Sequence, residues 1–350
     1  MRALVAGLAA GSLLLAGCTS GSDDPSPAPH GSPTTHGSLD AALSTPVEDR
    51  VYPQVGDPGV DALHYGLDLT WSPDSSTLDA VETLVLRATS DAPTFQLDLE
   101  HALAVSSVTV DGRDAAYDHE GKDLVVRTPV TADQRYTVVL HYAGTPRPVA
   151  APTTRSDFST LGWTITPDGE VWTMQEPFGA FSWYAVNDQP SDKALYDFTI
   201  SAPSPMVGIA NGTLESRHDE GDRTVTRWHL AEPASSYLTT IAIGDFRETR
   251  DRSASGVPVT YWTPRDRPAL VDRLRPAADE LGWIEDRLGP YPFSSLGVLV
   301  VDSRSGMETQ TMITLGSTAY DTSPEVLVHE MVHQWYGDTR SRRPTGATSG

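Results

Sequence analysis

Two histidines four residues apart, with a glutamate beside the first, are the residues of this chain best suited to chemistry: His329-Glu330-Met331-Val332-His333. On a helix, residues i and i+4 stand about one turn apart on one face, so both imidazoles can reach a single Zn²⁺. A zinc ion held in this way lowers the pKa of its water toward roughly 7, and Glu330 stands where it can hold that water and take its proton. The pattern predicts metal-assisted hydrolysis, with His329 and His333 as ligands and Glu330 as general base. A surface helix carrying incidental histidines fits the setting less well, because Val326, Leu327, Met331 and Val332 give the helix a buried side.

The elements that must position this motif are also legible. Ser323-Pro324-Glu325 is a helix start, with a capping hydroxyl, proline at the first turn and an early carboxylate. Ahead of it, 296–301 reads as a short buried strand and 307–315 as a more exposed one. A helix is predicted over 268–288, with Leu270, Leu274, Ala277, Ala278, Leu281 and Leu288 at helical spacing and Pro290 and Pro292 to stop it. Upstream the period changes to two. Residues 65–71, 81–86, 105–110, 124–127, 136–142, 196–201, 224–230 and 237–243 read as strands, with turn signals at Asp111-Gly112, Glu120-Gly121 and Asn211-Gly212.

With 350 residues the chain can bury cores for two domains, and 39% apolar with 21% charged residues is an ordinary globular balance. A formal net charge of −22 argues against nucleic acid and against electrostatic docking on an anionic bilayer. The N-terminus reads as an export signal: Arg2 precedes an apolar run, 3–16, too short to span a membrane. That run ends in Leu15-Ala16-Gly17-Cys18, which resembles a bacterial lipobox and makes Cys18, the sole cysteine, the expected site of lipidation. Residues 19–50 are rich in Ser, Pro, Gly and Thr and read as a disordered tether, with His30 and His36 solvated within it. Asn211-Gly212-Thr213 fits a glycosylation sequon, but the bacterial lipobox argues against that use.

Longer blocks carry a family resemblance. His329-Glu-Met-Val-His-Gln-Trp-Tyr-Gly-Asp338 resembles the HELxHQWFGD block of the aminopeptidase N type of gluzincin. Ser305-Gly-Met-Glu-Thr-Gln-Thr311 resembles that family's GxMEN loop, with Ser305 where glycine is usual and Thr309 where asparagine is frequent. Glu176-Pro-Phe-Gly-Ala180, running on to Ala194, resembles the block that holds a second amine-binding carboxylate, and Tyr52 to Tyr65 resembles the family's opening strand. The resemblance implies that Glu308 and Glu176 bind the free α-amino group of a peptide substrate, next to one Zn²⁺ per chain. Two carboxylates pairing with an ammonium would fix the scissile carbonyl at a set distance from the metal. The implied fold class is α+β and multidomain: an all-β, saddle-like N-terminal domain, then the start of a thermolysin-like α/β catalytic domain whose C-terminal helical part is missing.

The expected organisation is a lipoprotein signal peptide over 1–18, the tether over 19–50, the β domain over 51–250, a partial catalytic domain over 251–339 and an aberrant tail over 340–350. The resemblance implies a third zinc ligand, a glutamate about nineteen positions past His333, which falls beyond Gly350. The tail has no apolar face and does not resemble the family's next block. GC-rich codons for it, read two bases later, can spell a family-like Val-Ser-Pro-Ala-Asp-Trp, as a frameshift would produce. The expectation is a zinc aminopeptidase by lineage, exported, held by its lipid to the outer face of a bacterial membrane, and incomplete or inactive as this 350-residue chain. Two other readings stay open: a thermolysin-type zinc endopeptidase, and a noncatalytic surface lipoprotein that binds through its β domain. The sequence fixes neither the preferred N-terminal residue nor an oligomeric state.

Overall fold

The computed structural model describes residues 38–153 and 158–339. Cys18, the tether up to residue 37 and the tail 340–350 lie outside the described residues.

Period-two patterning builds the larger part of the molecule. In the strand Val60–Ser72, Tyr65, Leu67, Leu69 and Trp71 are buried while Asp68 between them is exposed, so one face packs inward and the other meets water. This strand lies inside an eight-stranded sheet. From edge to edge its order is Thr213–Glu220, Arg223–Ser235, Lys193–Pro203, Val60–Ser72, Thr77–Ala88, Arg135–Gly144, Leu103–Val110 and Arg113–Asp114. Val60–Ser72 pairs parallel with Lys193–Pro203 and antiparallel with Thr77–Ala88. A five-stranded sheet from Val149 to Gly244 and a three-stranded sheet from Phe95 to Val126 complete the β-rich part. Their inner faces share one core that includes Trp71, Trp163, Trp183, Tyr184 and Tyr196. Each such large apolar side chain contributes roughly 1.5–3 kcal/mol by its removal from water.

A four-stranded sheet follows, ordered Phe246–Arg252, Pro258–Pro264, Leu296–Val300, Met312–Leu315. Its first pair is antiparallel and the next two pairs are parallel, the first of these joined by a crossover through the helix Ala277–Leu288 and the second by the loop 301–311. Every residue of Leu296–Val300 and Met312–Leu315 is buried, which fits a sheet covered on both faces. Val298 and Val300 turn toward the helices, meeting Leu281, Ile284, Leu327 and Met331. Leu299, Val301, Trp262 and Met312 turn the other way, into the core of the β-rich part. Alternation along a single strand therefore joins the two cores, and the segments that carry the chemistry lie at that join.

Four sequence expectations change in the structure. The predicted helix 268–288 is a 3₁₀ turn, Pro268–Leu270, then Val271–Leu274, then Ala277–Leu288, with the break at Arg275-Pro276, where proline lacks the amide a continuous helix needs. The predicted strand 307–315 is a strand only over Met312–Leu315; Met307 makes an isolated bridge to Thr314, and the residues between form a loop. The predicted strand 237–243 opens with the 3₁₀ turn Ser236–Leu238 and becomes a strand at Ile241–Gly244. The last part of the expected tether is docked. Leu39–Ala42 is a 3₁₀ turn beside Leu63 and Leu195, with Ala42 buried. The Ser44 hydroxyl donates to Asp61 at 2.5 Å and to Asp192 at 3.2 Å. Few apolar residues suffice here because polar anchors supply the contact.

Candidate metal centre

The helix Pro324–His333 starts where its sequence signals place it: the Ser323 hydroxyl accepts the Val326 amide and Pro324 occupies the first turn. Leu327 and Met331 anchor its buried side. His329 is thereby left exposed, His333 half-buried and Glu330 buried at 8% exposure.

The two imidazoles face each other, Nε2 to Nε2, at 3.3 Å. Tetrahedral Zn–N bonds of roughly 2.0–2.1 Å place two nitrogens about 3.3–3.4 Å apart, so this spacing suits one shared zinc ion. The His333 Nδ1 lies 3.1 Å from the Tyr336 carbonyl oxygen. A carbonyl only accepts, so Nδ1 carries the hydrogen and Nε2 keeps its lone pair for a metal. The backbone delivers that carbonyl by leaving the helix: Tyr336 departs from helical angles and Gly337 follows at φ 132°, a conformation that favours glycine. Among the described residues no group of three or more His, Cys, Asp or Glu is placed to hold a metal, so two imidazoles are the donors that the fold supplies there.

The Glu308 loop lies against this helix. A methyl group at Gly306 would stand 3.6 Å from Glu330 Oε1, so the loop borders the candidate base. Glu308 itself is half-buried and Glu176 is exposed, in a cis Glu176-Pro177 segment. The turn Ser236–Leu238 joins the two. The Gln175 amide donates to the Thr239 carbonyl at 2.7 Å, and the Gln310 N–H donates to the Leu238 carbonyl at 3.0 Å. The Tyr237 phenol is held well above its ordinary range by burial first, then by the carboxylates of Asp338, Glu308 and Glu176. The segments of Glu308 and Glu176, 132 positions apart in the chain, are thus tied to one turn.

Several residues of this region had no role in the sequence reading. Asn211, the sequon residue, is fully buried; its amide donates to the carbonyls of Leu238 (3.0 Å) and Gln310 (2.6 Å) and accepts the Thr240 N–H at 2.6 Å. Gln334 and Asp338 sit inside the recognised block and are fully buried. Burial first, and then the Glu308 carboxylate, hold the Asp338 carboxyl well above the usual range, with Lys193 partly offsetting them. The Lys193 ammonium donates to the Asp338 carbonyl. Their contacts are not legible locally, because apart from the Gln334–Asp338 pair their partners are distant in sequence.

Residues 61–238 match the peptidase M1 N-terminal domain. Among curated proteins the chain is 24% identical over 270 residues to the probable aminopeptidase 1 of Sulfurisphaera tokodaii, covering 72% of this chain and 33% of that protein. It is 24% identical over 190 residues to aminopeptidase N of Streptomyces lividans, covering 48% of this chain and 21% of that one. It therefore spans about a third or less of the length of these relatives. Among solved structures, the M1 zinc metallopeptidase from Deinococcus radiodurans superposes with a TM-score of 0.72 at 24% identity, over 82% of this chain and 66% of that one. A two-domain M1 zinc metallopeptidase mutant bound to L-arginine superposes at 0.74, with the same identity and coverage. At this identity the likeness is one of fold: a sheet-rich N-terminal part followed by the α/β part described above.

Proposed function

The chain belongs to the peptidase M1 family, and from that premise we propose that it supplies the zinc-binding helix and the amine-binding carboxylates of an aminopeptidase. His329 and His333 would hold the metal through Nε2. Zinc, when bound, supplies Lewis acidity to a peptide carbonyl and acidity to a water molecule. Zinc sites that hydrolyse take three protein ligands and leave one position open; the 3.3 Å between the two Nε2 atoms supports His329 and His333 as two of them. Glu330, buried beside the first histidine, takes the proton of the attacking water and returns it to the leaving amine. Glu308 and Glu176 bind the α-ammonium of the substrate and so set which peptide bond reaches the metal.

The observation that carries this reading over an endopeptidase is that the turn at 236–239 ties the segments of Glu176 and Glu308 together, through the Gln175 amide to the Thr239 carbonyl and the Gln310 N–H to the Leu238 carbonyl, while Gln334 joins the Glu308 carbonyl to the histidine helix. An internal peptide bond brings no α-ammonium for two carboxylates to bind. The test compares leucine p-nitroanilide with its N-acetylated form, using the zinc-loaded full gene product. The expected outcome is release of nitroaniline from the free amine alone; comparable cleavage of the acetylated compound would favour the endopeptidase reading. Export and lipid anchoring through Cys18 belong to the same proposal.

A further inference from the structure

The Glu308 loop has an unfavourable backbone. Thr311, a β-branched residue, is held at φ 63°, where side chains of its shape are disfavoured. Its hydroxyl donates to the Gln310 carbonyl at 2.6 Å and accepts the Gly212 N–H at 2.7 Å. A loop in this conformation needs partners outside itself, and one side chain reaches both ends of its tip. The Gln334 Oε1 accepts the Thr311 N–H at 2.9 Å, and its Nε2 donates to the Glu308 carbonyl at 3.0 Å. The remaining capacity of the same amide is also used. Oε1 accepts from the Tyr291 hydroxyl at 3.2 Å, and Nε2 donates to Asp338 Oδ2 at 2.7 Å. Gln334 is fully buried and follows His333 directly.

We propose that Gln334 is a positioning residue that locks the Glu308 loop to the histidine helix and so sets the distance from the amine-binding carboxylate to the metal pair. The proposal rests on the aminopeptidase reading for its consequence, though not for its geometry. Only an amide of this length offers two donors and an acceptor in the needed directions. A carboxylate would keep the acceptor toward Thr311 and Tyr291 but would set oxygen against the Glu308 carbonyl and Asp338. An apolar side chain would lose all four bonds and strand buried partners.

The test is hydrogen exchange on the metal-free full gene product carrying Gln334→Met. The amide of Thr311 should exchange at least about tenfold faster, while amides of the helix Pro324–His333 stay within about threefold of the parent. Gln334→Glu, which keeps the acceptor but sets oxygen against the Glu308 carbonyl and Asp338, should also leave Thr311 exchanging faster than in the parent. Unchanged exchange at Thr311, or an equal rise in loop and helix, overturns the proposal. In the zinc-loaded protein, Gln334→Met should raise KM for leucine p-nitroanilide about tenfold, with zinc affinity within about threefold of the parent. If the loop loosens as expected but KM does not move, the amine-binding assignment of Glu308 fails and the lock stands.

Discussion

Glu82 shows how much of this molecule rests on single buried groups. It lies fully buried on the strand Thr77–Ala88; one carboxyl oxygen accepts the Tyr142 hydroxyl at 3.0 Å and the Ala185 N–H at 2.9 Å. The other oxygen has no partner, so it is the place for a proton. Burial pushes this carboxyl up to about 8, and does the same to Asp192. A folded pKa above the unfolded value of 4.5 means that the folded state keeps a proton the unfolded chain gives up. The stabilisation is complete below 4.5, falls as the pH rises through the folded value of about 8, and is gone above it. Glu82→Gln imitates the protonated acid at every pH. Urea denaturation should find the variant close to the parent at pH 5 and more stable at pH 9, by on the order of 3 kcal/mol. An equal difference at both pH values would show that ionisation of Glu82 is not the cause.

At the scale of elements, the histidine helix was readable because its instructions are local. Ser323, Pro324 and the apolar spacing of Leu327 and Met331 each act within two turns, and the structure uses all of them. Ser323→Ala should remove the cap and cost about 1 kcal/mol in urea denaturation, and Ser323→Asp should recover most of that. Zinc affinity should stay within about threefold of the parent, because the cap lies more than a turn before His329. A large loss of zinc affinity in Ser323→Ala would mean that the helix start and the site are more tightly coupled than this. The segments 307–315 and 237–243 were less legible for the opposite reason. Both are rich in β-branched residues, as strands are, yet the Gln310 N–H is drawn to the Leu238 carbonyl and Thr309 turns its hydroxyl to the Met312 carbonyl, which opens one into a loop and the other into a turn. The Gln310–Leu238 bond joins residues 72 positions apart, so no window of sequence contains its cause. The proposed site divides likewise: spacing points to the histidine pair, longer blocks to Glu308 and Glu176, and the contacts of Asn211, Tyr237 and Gln334 emerge only in three dimensions.

At the scale of the whole molecule, charge and anchorage have to be considered together. A net charge of −22 opposes adhesion to an anionic membrane by electrostatics, and the anchor proposed for this chain is a covalent lipid. The chain offers one thiol for that, Cys18, at the end of the apolar run 3–16. A single acyl chain holds a protein only marginally, whereas two or more on one residue hold it stably, at roughly 0.8 kcal/mol per buried methylene. The described residues begin at 38, and Leu39 and Ala42 pack beside Leu63 and Leu195. Cys18→Ser should therefore release the protein from the membrane fraction without changing its fold. The check is metabolic labelling with a radioactive fatty acid in a bacterial host, with fractionation and circular dichroism on the same samples. The parent should carry label and sediment with membranes; the variant should carry none, appear in the soluble exported fraction and melt at the parental temperature. Label retained in Cys18→Ser, or an unlabelled parent in the soluble fraction, would remove the anchor from this account and leave the metal centre untouched.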